Sequence, residues 1–198
     1  MSDGNVTLRR KLPEIAVEAV MVVFAVFAAF GVEEWRDERQ LRQFAAVARE
    51  AVETEIAENL QEFRTVGPAL DALAAELDEL LQAARGGSVE LHEELNLGVR
   101  MPRTSTAAWR AAQGSQAAPY FDYDWVIHVS RVYELYEGYA DVRSQVVEEY
   151  GRIAARRASF QAMTPAEFID AFEPLSGSLW TLGQLHREMQ GGLESLAE

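Results

Sequence analysis

The stretch from Glu14 to Trp35, "EIAVEAVMVVFAVFAAFGVEEW", constrains this chain more than any other. Between Ile15 and Val32 its only charged residue is Glu18. With Leu12 and Trp35 as outer limits it is about 24 residues, or roughly 35 Å of helix, against a bilayer core of about 30 Å. A helix that is apolar on every face needs lipid or a complete shell of apolar partners. The rest of the chain is too polar to supply that shell. The expectation is a short tail at 1–11, a transmembrane helix at 12–35 and a soluble domain at 36–198.

Basic residues followed by an apolar run also make a signal-peptide pattern, and "AVFAA" offers small residues for cleavage. The run is longer than a signal core, however, and it passes without a break into "EEWRDERQLRQF", which points to an uncleaved signal anchor. Arg9, Arg10 and Lys11 precede the span, and Arg36, Arg39 and Arg42 follow it. Because a short tail with three cations resists translocation, the expected topology is single-pass with a cytoplasmic N-terminus and a periplasmic domain. Lys11 is the only lysine among the 18 basic residues, a habit of GC-rich bacterial genomes, and the expected location is a bacterial inner membrane.

On a helical wheel Glu18, Val22, Ala25, Ala29 and Val32 share one face, while Phe24, Phe27 and Phe30 lie opposite. Small residues on one side and bulky ones on the other is the way membrane helices pack, with the small side toward the partner. Glu18 then either snorkels to the headgroups or faces a partner, which would be a second copy or a larger membrane protein.

There are 32 acidic residues and a net charge of −14. Such a surface repels a phosphate backbone, so no nucleic-acid partner is expected. Cysteine is absent, which removes disulfides, thiolate nucleophiles and sulfur-ligated metals.

After the span the pattern is helical throughout. Ile56, Leu60, Phe63, Leu70, Ala74, Leu77 and Leu81 alternate in steps of four and three, the seam of a bundle. Gly67-Pro68 predicts a kink or tight turn that opens a second helix, and Gly86-Gly87 predicts its end. "SVELHEELNLGVRMPRTST" reads as the longest loop. Thr104 or Ser105 is placed to cap a short helix over "AAWRAAQ", and Asp122 to cap a long one reaching about Arg157. On that long helix Trp125, Val129, Val132, Tyr136, Tyr139, Val146, Tyr150 and Ile153 form a stripe. Thr164-Pro165 predicts a further short helix ending before Pro174, and a last helix from about Ser178 carries Trp180, Leu182, Leu185, Met189, Leu193 and Leu196. The fold class is all-α: one transmembrane helix continuing into an antiparallel helical bundle.

The chain has no phosphate loop, no HExxH pair and no GxSxG elbow, so catalysis is not expected, nor a cofactor. Glu90, His92, Glu93 and Glu94 are a mixed set of metal-capable groups, but an acidic loop with one histidine is ordinarily solvated. His128 and His186 read as rim residues of the bundle, and the runs Glu50–Glu58 and Glu148-Glu149 as solvated faces. The aromatic segment is more distinctive. Trp109, Arg110, Tyr136, Tyr139 and Arg143 form a candidate ligand or partner cluster, with rings for an apolar body and Arg110 or Arg143 for an anionic group. The competing reading is a tyrosine-rich core with Arg143 paired to a glutamate.

Two segments, "EIAVEAVMVVFAVFAAFGVEEWRDER" and "TSTAAWRAAQGSQAAPYFDYDWVIHVSRVYELYEGY", resemble the signatures of a bacterial family of single-pass, membrane-anchored helical proteins without an assigned activity. The resemblance implies an inner-membrane protein and carries no catalytic residues. The resulting expectation is a membrane-anchored interaction protein, an accessory or scaffolding subunit of a larger complex, with the lipid bilayer and other membrane subunits or its own copies as partners. The alternative is a periplasmic, sensor-like ligand-binding bundle acting as co-receptor.

Overall fold

The computed structural model describes residues 4–87, 98, 100–156, 160 and 162–197, with side chains from Val17 onward apart from Ala19. All regular structure among them is helical: α1 (Gly4–Arg85), α2 (Ala107–Gln113), a 3-10 turn (Ala118–Tyr120), α3 (Tyr123–Ala154) and α4 (Pro165–Ala197). The acidic run around His92 lies outside the described residues, and no group of three metal-capable side chains occurs within them.

α1 is one helix of 82 residues, about 120 Å long at 1.5 Å per residue. It does not break at Gly67-Pro68, contrary to the sequence expectation. Val66, Leu70 and Leu73 are buried around the proline, whose own side chain is exposed. Packing on the inner face holds the helix together across a missing backbone donor on the outer face. α4 likewise runs straight through Pro174 instead of dividing there. Phe172 and Leu175 are fully buried on either side of an exposed proline ring. α1 ends where expected. Gly87 takes a φ of 80°, a conformation costly for other residues, and its N–H reaches the carbonyl of Ala84 at 3.0 Å.

The other helix starts follow local chemistry. Asp122 accepts from the Trp125 N–H at 2.9 Å to open α3. Thr164 and Glu167 cap α4 reciprocally: Glu167 accepts from the Thr164 N–H at 2.8 Å and Thr164 Oγ1 from the Glu167 N–H at 3.3 Å.

Three ion pairs fix the direction of α4 on α1: Arg64–Glu194, Asp71–Arg187 and Arg85–Glu173, each at 2.8–2.9 Å. Their order makes the two helices antiparallel. α3 runs with α1, since Arg49 lies over the Trp125 ring and Phe63 meets Tyr139. The bundle therefore has two parallel members and one antiparallel member, a departure from the simple up-down arrangement.

The core runs from Ala45 to the end of α1 and includes Phe63, Leu77, Tyr139, Phe168, Phe172, Leu182 and Met189. One expected stripe member lies elsewhere: Trp180 is 65% exposed, whereas Ala74 is partly buried against the core beside the buried Leu73. His186 is also no rim residue. It is buried in the core, and its Nε2 lies 2.8 Å from the Phe63 carbonyl oxygen. A side chain at position 67 would put its Cβ 2.9 Å from that nitrogen, so Gly67 serves the close approach of His186 and not a turn.

The amino-terminal half of α1 is different. From Val17 to Val32 the large apolar side chains are all exposed by 47% or more. Taken over the described residues, no helix is long and apolar enough to cross a membrane. The described side chains of the apolar run begin at Val17, and from there to Val32 it is shorter than the roughly 20 residues a span needs.

Candidate functional site

α1 positions two polar side chains one helical turn apart, Glu55 and Asn59, both buried. They hold the segment that leads into α2. The Asn59 amide makes a two-point contact with Ser105: its Nδ2 donates to the Ser105 carbonyl at 2.8 Å, and its Oδ1 accepts from the Ser105 N–H at 2.9 Å. Glu55 Oε2 accepts from the Ser105 hydroxyl at 2.6 Å and the Ala108 N–H at 2.9 Å. Glu55 Oε1 accepts from the Trp109 N–H at 3.3 Å and the Tyr133 hydroxyl at 2.7 Å. α2 is thus capped by a carboxylate from another helix. Its own N-cap residue, Thr106, makes no side-chain cap bond, and Ser105 Oγ takes only the Ala107 N–H at 3.2 Å.

Burial pushes the Glu55 carboxyl up, but the four hydrogen bonds from Ser105, Tyr133, Ala108 and Trp109 outweigh it and leave the group below its ordinary 4.5. Glu55 is therefore a charged clamp at neutral pH, and the reading of Glu50–Glu58 as a wholly solvated face is corrected. Glu149 corrects the second acidic run in the same way. It is buried, with Oε1 3.2 Å from Gln145 Nε2 and 3.9 Å from Arg152 Nη2.

The clamp brings α2 against α3 and orders a chain of rings. Phe121 meets Trp125 at 5.4 Å, Trp125 meets Trp109 edge-on at 6.0 Å, and Trp109 stacks on Tyr133 at 5.7 Å and 21°. Tyr133 continues to Tyr136 at 6.5 Å. Beside these rings, between α2 and α3, is a cleft of ≈ 460 Å³. Trp109, Arg110, Tyr136 and Arg143 line it together, so four of the five residues of the expected cluster converge. Tyr139 does not join them. It is fully buried, with its ring 5.1 Å from Phe63 and 6.2 Å from His186.

The cleft has unused hydrogen-bonding capacity. Thr104 lines it, as does Tyr136, and both hydroxyl oxygens are buried without a partner in the protein. A group left in that state costs about 1–3 kcal/mol. Arg143 is half-buried and makes no ion pair or hydrogen bond with any described residue. The expected pairing of Arg143 with a glutamate is therefore absent among the described residues. Burial pushes the Tyr136 hydroxyl up to about 12, against the opposing pull of Arg143, so it is a neutral donor at physiological pH. Exposed Arg110, Glu134 and Glu137 form the rim.

Sequence reasoning missed Glu55, Asn59 and Tyr133, and placed Thr104 only as a candidate cap of α2, whose N-cap is Thr106. A signal existed for one of them. The steps of four and three that join Val52, Ile56, Phe63 and Val66 pass through position 59, so Asn59 is a polar residue at a core position.

The expected membrane face of Glu18, Val22, Ala25, Ala29 and Val32 lies on an unbroken helix and is exposed along its length. Comparison with protein-family models, with curated proteins and with solved structures gives no match, so the likeness of the two sequence signatures gains no support from them.

Proposed function

We propose that this chain is a membrane-anchored helical interaction protein, an accessory or scaffolding subunit of a larger inner-membrane assembly. The observation that carries this reading is the bare rod of α1. Ten large apolar side chains between Val17 and Val32, among them Phe24 and Phe27 at 73% and 70%, are exposed on every side of the helix. Water tolerates scattered apolar residues but not a continuous cylinder of them. With the residues from Leu12 onward, the rod has the length of a bilayer core. Trp35, with Arg39 over its ring at 5.6 Å, stands where an interfacial aromatic belongs. The helix continues from there into the bundle, which hangs from it on the periplasmic side. Glu18 and the small-residue face make the lateral contact.

Alkaline carbonate extraction should leave the chain in the membrane pellet, and release into the supernatant would overturn the anchor. Gentle detergent extraction and sizing should give a large assembly containing other subunits. Glu18→Leu should preserve insertion but reduce partner recovery several-fold. Undiminished recovery would return Glu18 to a headgroup-facing role.

A second reading, a ligand-binding co-receptor, is favoured by one observation: the cleft at Arg143, where a cation and two hydroxyls lack partners.

A further inference from the structure

We infer that the cleft between α2 and α3 binds a small zwitterion of the amino-acid type, its carboxylate held by Arg143 with the Tyr136 and Thr104 hydroxyls. The inference deepens the co-receptor reading and is independent of the anchor.

Arg143 presents a planar set of donors suited to a carboxylate, and no described residue supplies an acceptor. Tyr136 and Thr104 line the same cleft, and their hydroxyl oxygens are buried beside it without partners in the protein. A native interior rarely leaves such groups unmatched, and three of them around one cavity favour a ligand acceptor over coincidence. Other buried groups without partners lie elsewhere. Tyr139 and His186 sit in the core against Phe63, and Glu149 packs between α3 and α4.

The rim decides the rest of the ligand. Glu134 and Glu137 line the cleft from α3 and make no ion pair with Arg143 or with any other described residue. A simple carboxylic acid would face these two carboxylates unfavourably. A ligand with an ammonium group a few atoms from its carboxylate satisfies both ends, and the half-buried ring of Tyr136 suits a cation or an apolar side chain. The volume of ≈ 460 Å³ suits a molecule of that size. Glu55 and Asn59 do not touch such a ligand. By fixing Ser105 and the start of α2 they position Thr104 and Trp109, and so set the shape of the cleft.

The test is calorimetric titration of the full-length chain in detergent with the proteinogenic L-amino acids and glycine betaine. Butyrate serves as the carboxylate-only control and butylamine as the amine-only control. At least one zwitterion should bind at least tenfold more tightly than either control. Arg143→Gln and Tyr136→Phe should each weaken that binding tenfold or more without changing the helical circular dichroism. Tyr136→Phe removes a single oxygen and keeps the ring, so it decides the matter if Arg143→Gln fails to fold. Equal binding of butyrate would overturn the zwitterion assignment while leaving a ligand site in place. Binding by none of these compounds, or binding unaffected by both variants, would overturn the site and the co-receptor reading with it. Neither result bears on membrane anchoring.

Discussion

The two halves of α1 are built on the same helical backbone and are covered in opposite ways. From Ala45 to Arg85 the apolar residues occupy a stripe of alternating four- and three-residue steps, and α4, α2 and the side chains of α3 bury that stripe. From Val17 to Val32 apolar residues occupy every face, and among the described residues their large side chains are exposed. A stripe can be satisfied by two neighbouring helices, whereas a full cylinder cannot. Pattern, not hydrophobic content, decides whether a segment finds its partner inside its own chain or outside it.

A matched pair of truncations separates the two halves most sharply. Phe63→Ala should cost about 3–5 kcal/mol of bundle stability, read by denaturant unfolding followed through tryptophan fluorescence, because the ring is fully enclosed. Phe27→Ala, at 70% exposure in the chain, should leave the same transition unchanged. Equal costs would mean that the two halves are packed alike.

Glu55→Gln comes next. The amide preserves the shape and one acceptor oxygen, but its NH2 group turns donors toward two of the four donors that the carboxylate satisfies, either Ser105 and Ala108 or Trp109 and Tyr133. A loss of about 2–3 kcal/mol is expected, together with weaker near-ultraviolet dichroism from Trp109.

A smaller effect depends on pH. Burial holds the His186 imidazole below its ordinary 6.5, against the opposing influence of the Phe63 carbonyl and Asp71. The unfolded chain then binds the proton first as pH falls. Stability is fully present above about 6.5 and declines below it, with a limiting slope of about 1.4 kcal/mol per pH unit for one proton. Glu55, below its ordinary 4.5, acts only in a more acidic range. His186→Gln should flatten the profile between pH 6.5 and 5 in urea titrations. An unchanged slope would place the proton elsewhere.

The smallest expected effect is Arg187→Ala. Both partners of the Arg187–Asp71 pair are more than half exposed, and the loss should stay below about 1 kcal/mol.

What could be read beforehand follows the range of the interactions. Asp122, Thr164 and Gly87 act on atoms within a few residues, and each was legible as a start or stop signal. Pro68 and Pro174 carry equally clear local signals and mislead, because residues buried on both sides of each proline override the lost backbone bond. Arg110, Tyr136 and Arg143 could be grouped from spacing and side-chain type. Glu55 could not, since its partners lie 50 to 78 positions along the chain. Tyr139 failed for the converse reason: it occupies the right helix but the wrong side of it, against α1 and α4.

No proline or glycine pair interrupts α1 between Gly31 and Gly67, so the exposed rod and the clamp at Glu55 are parts of one stiff shaft. Torque applied at one end of such a shaft is delivered at the other with little lost to bending. If the greasy end is gripped and rolled by a neighbour, Glu55 and Asn59 sweep round with it and drag the mouth of the cleft along.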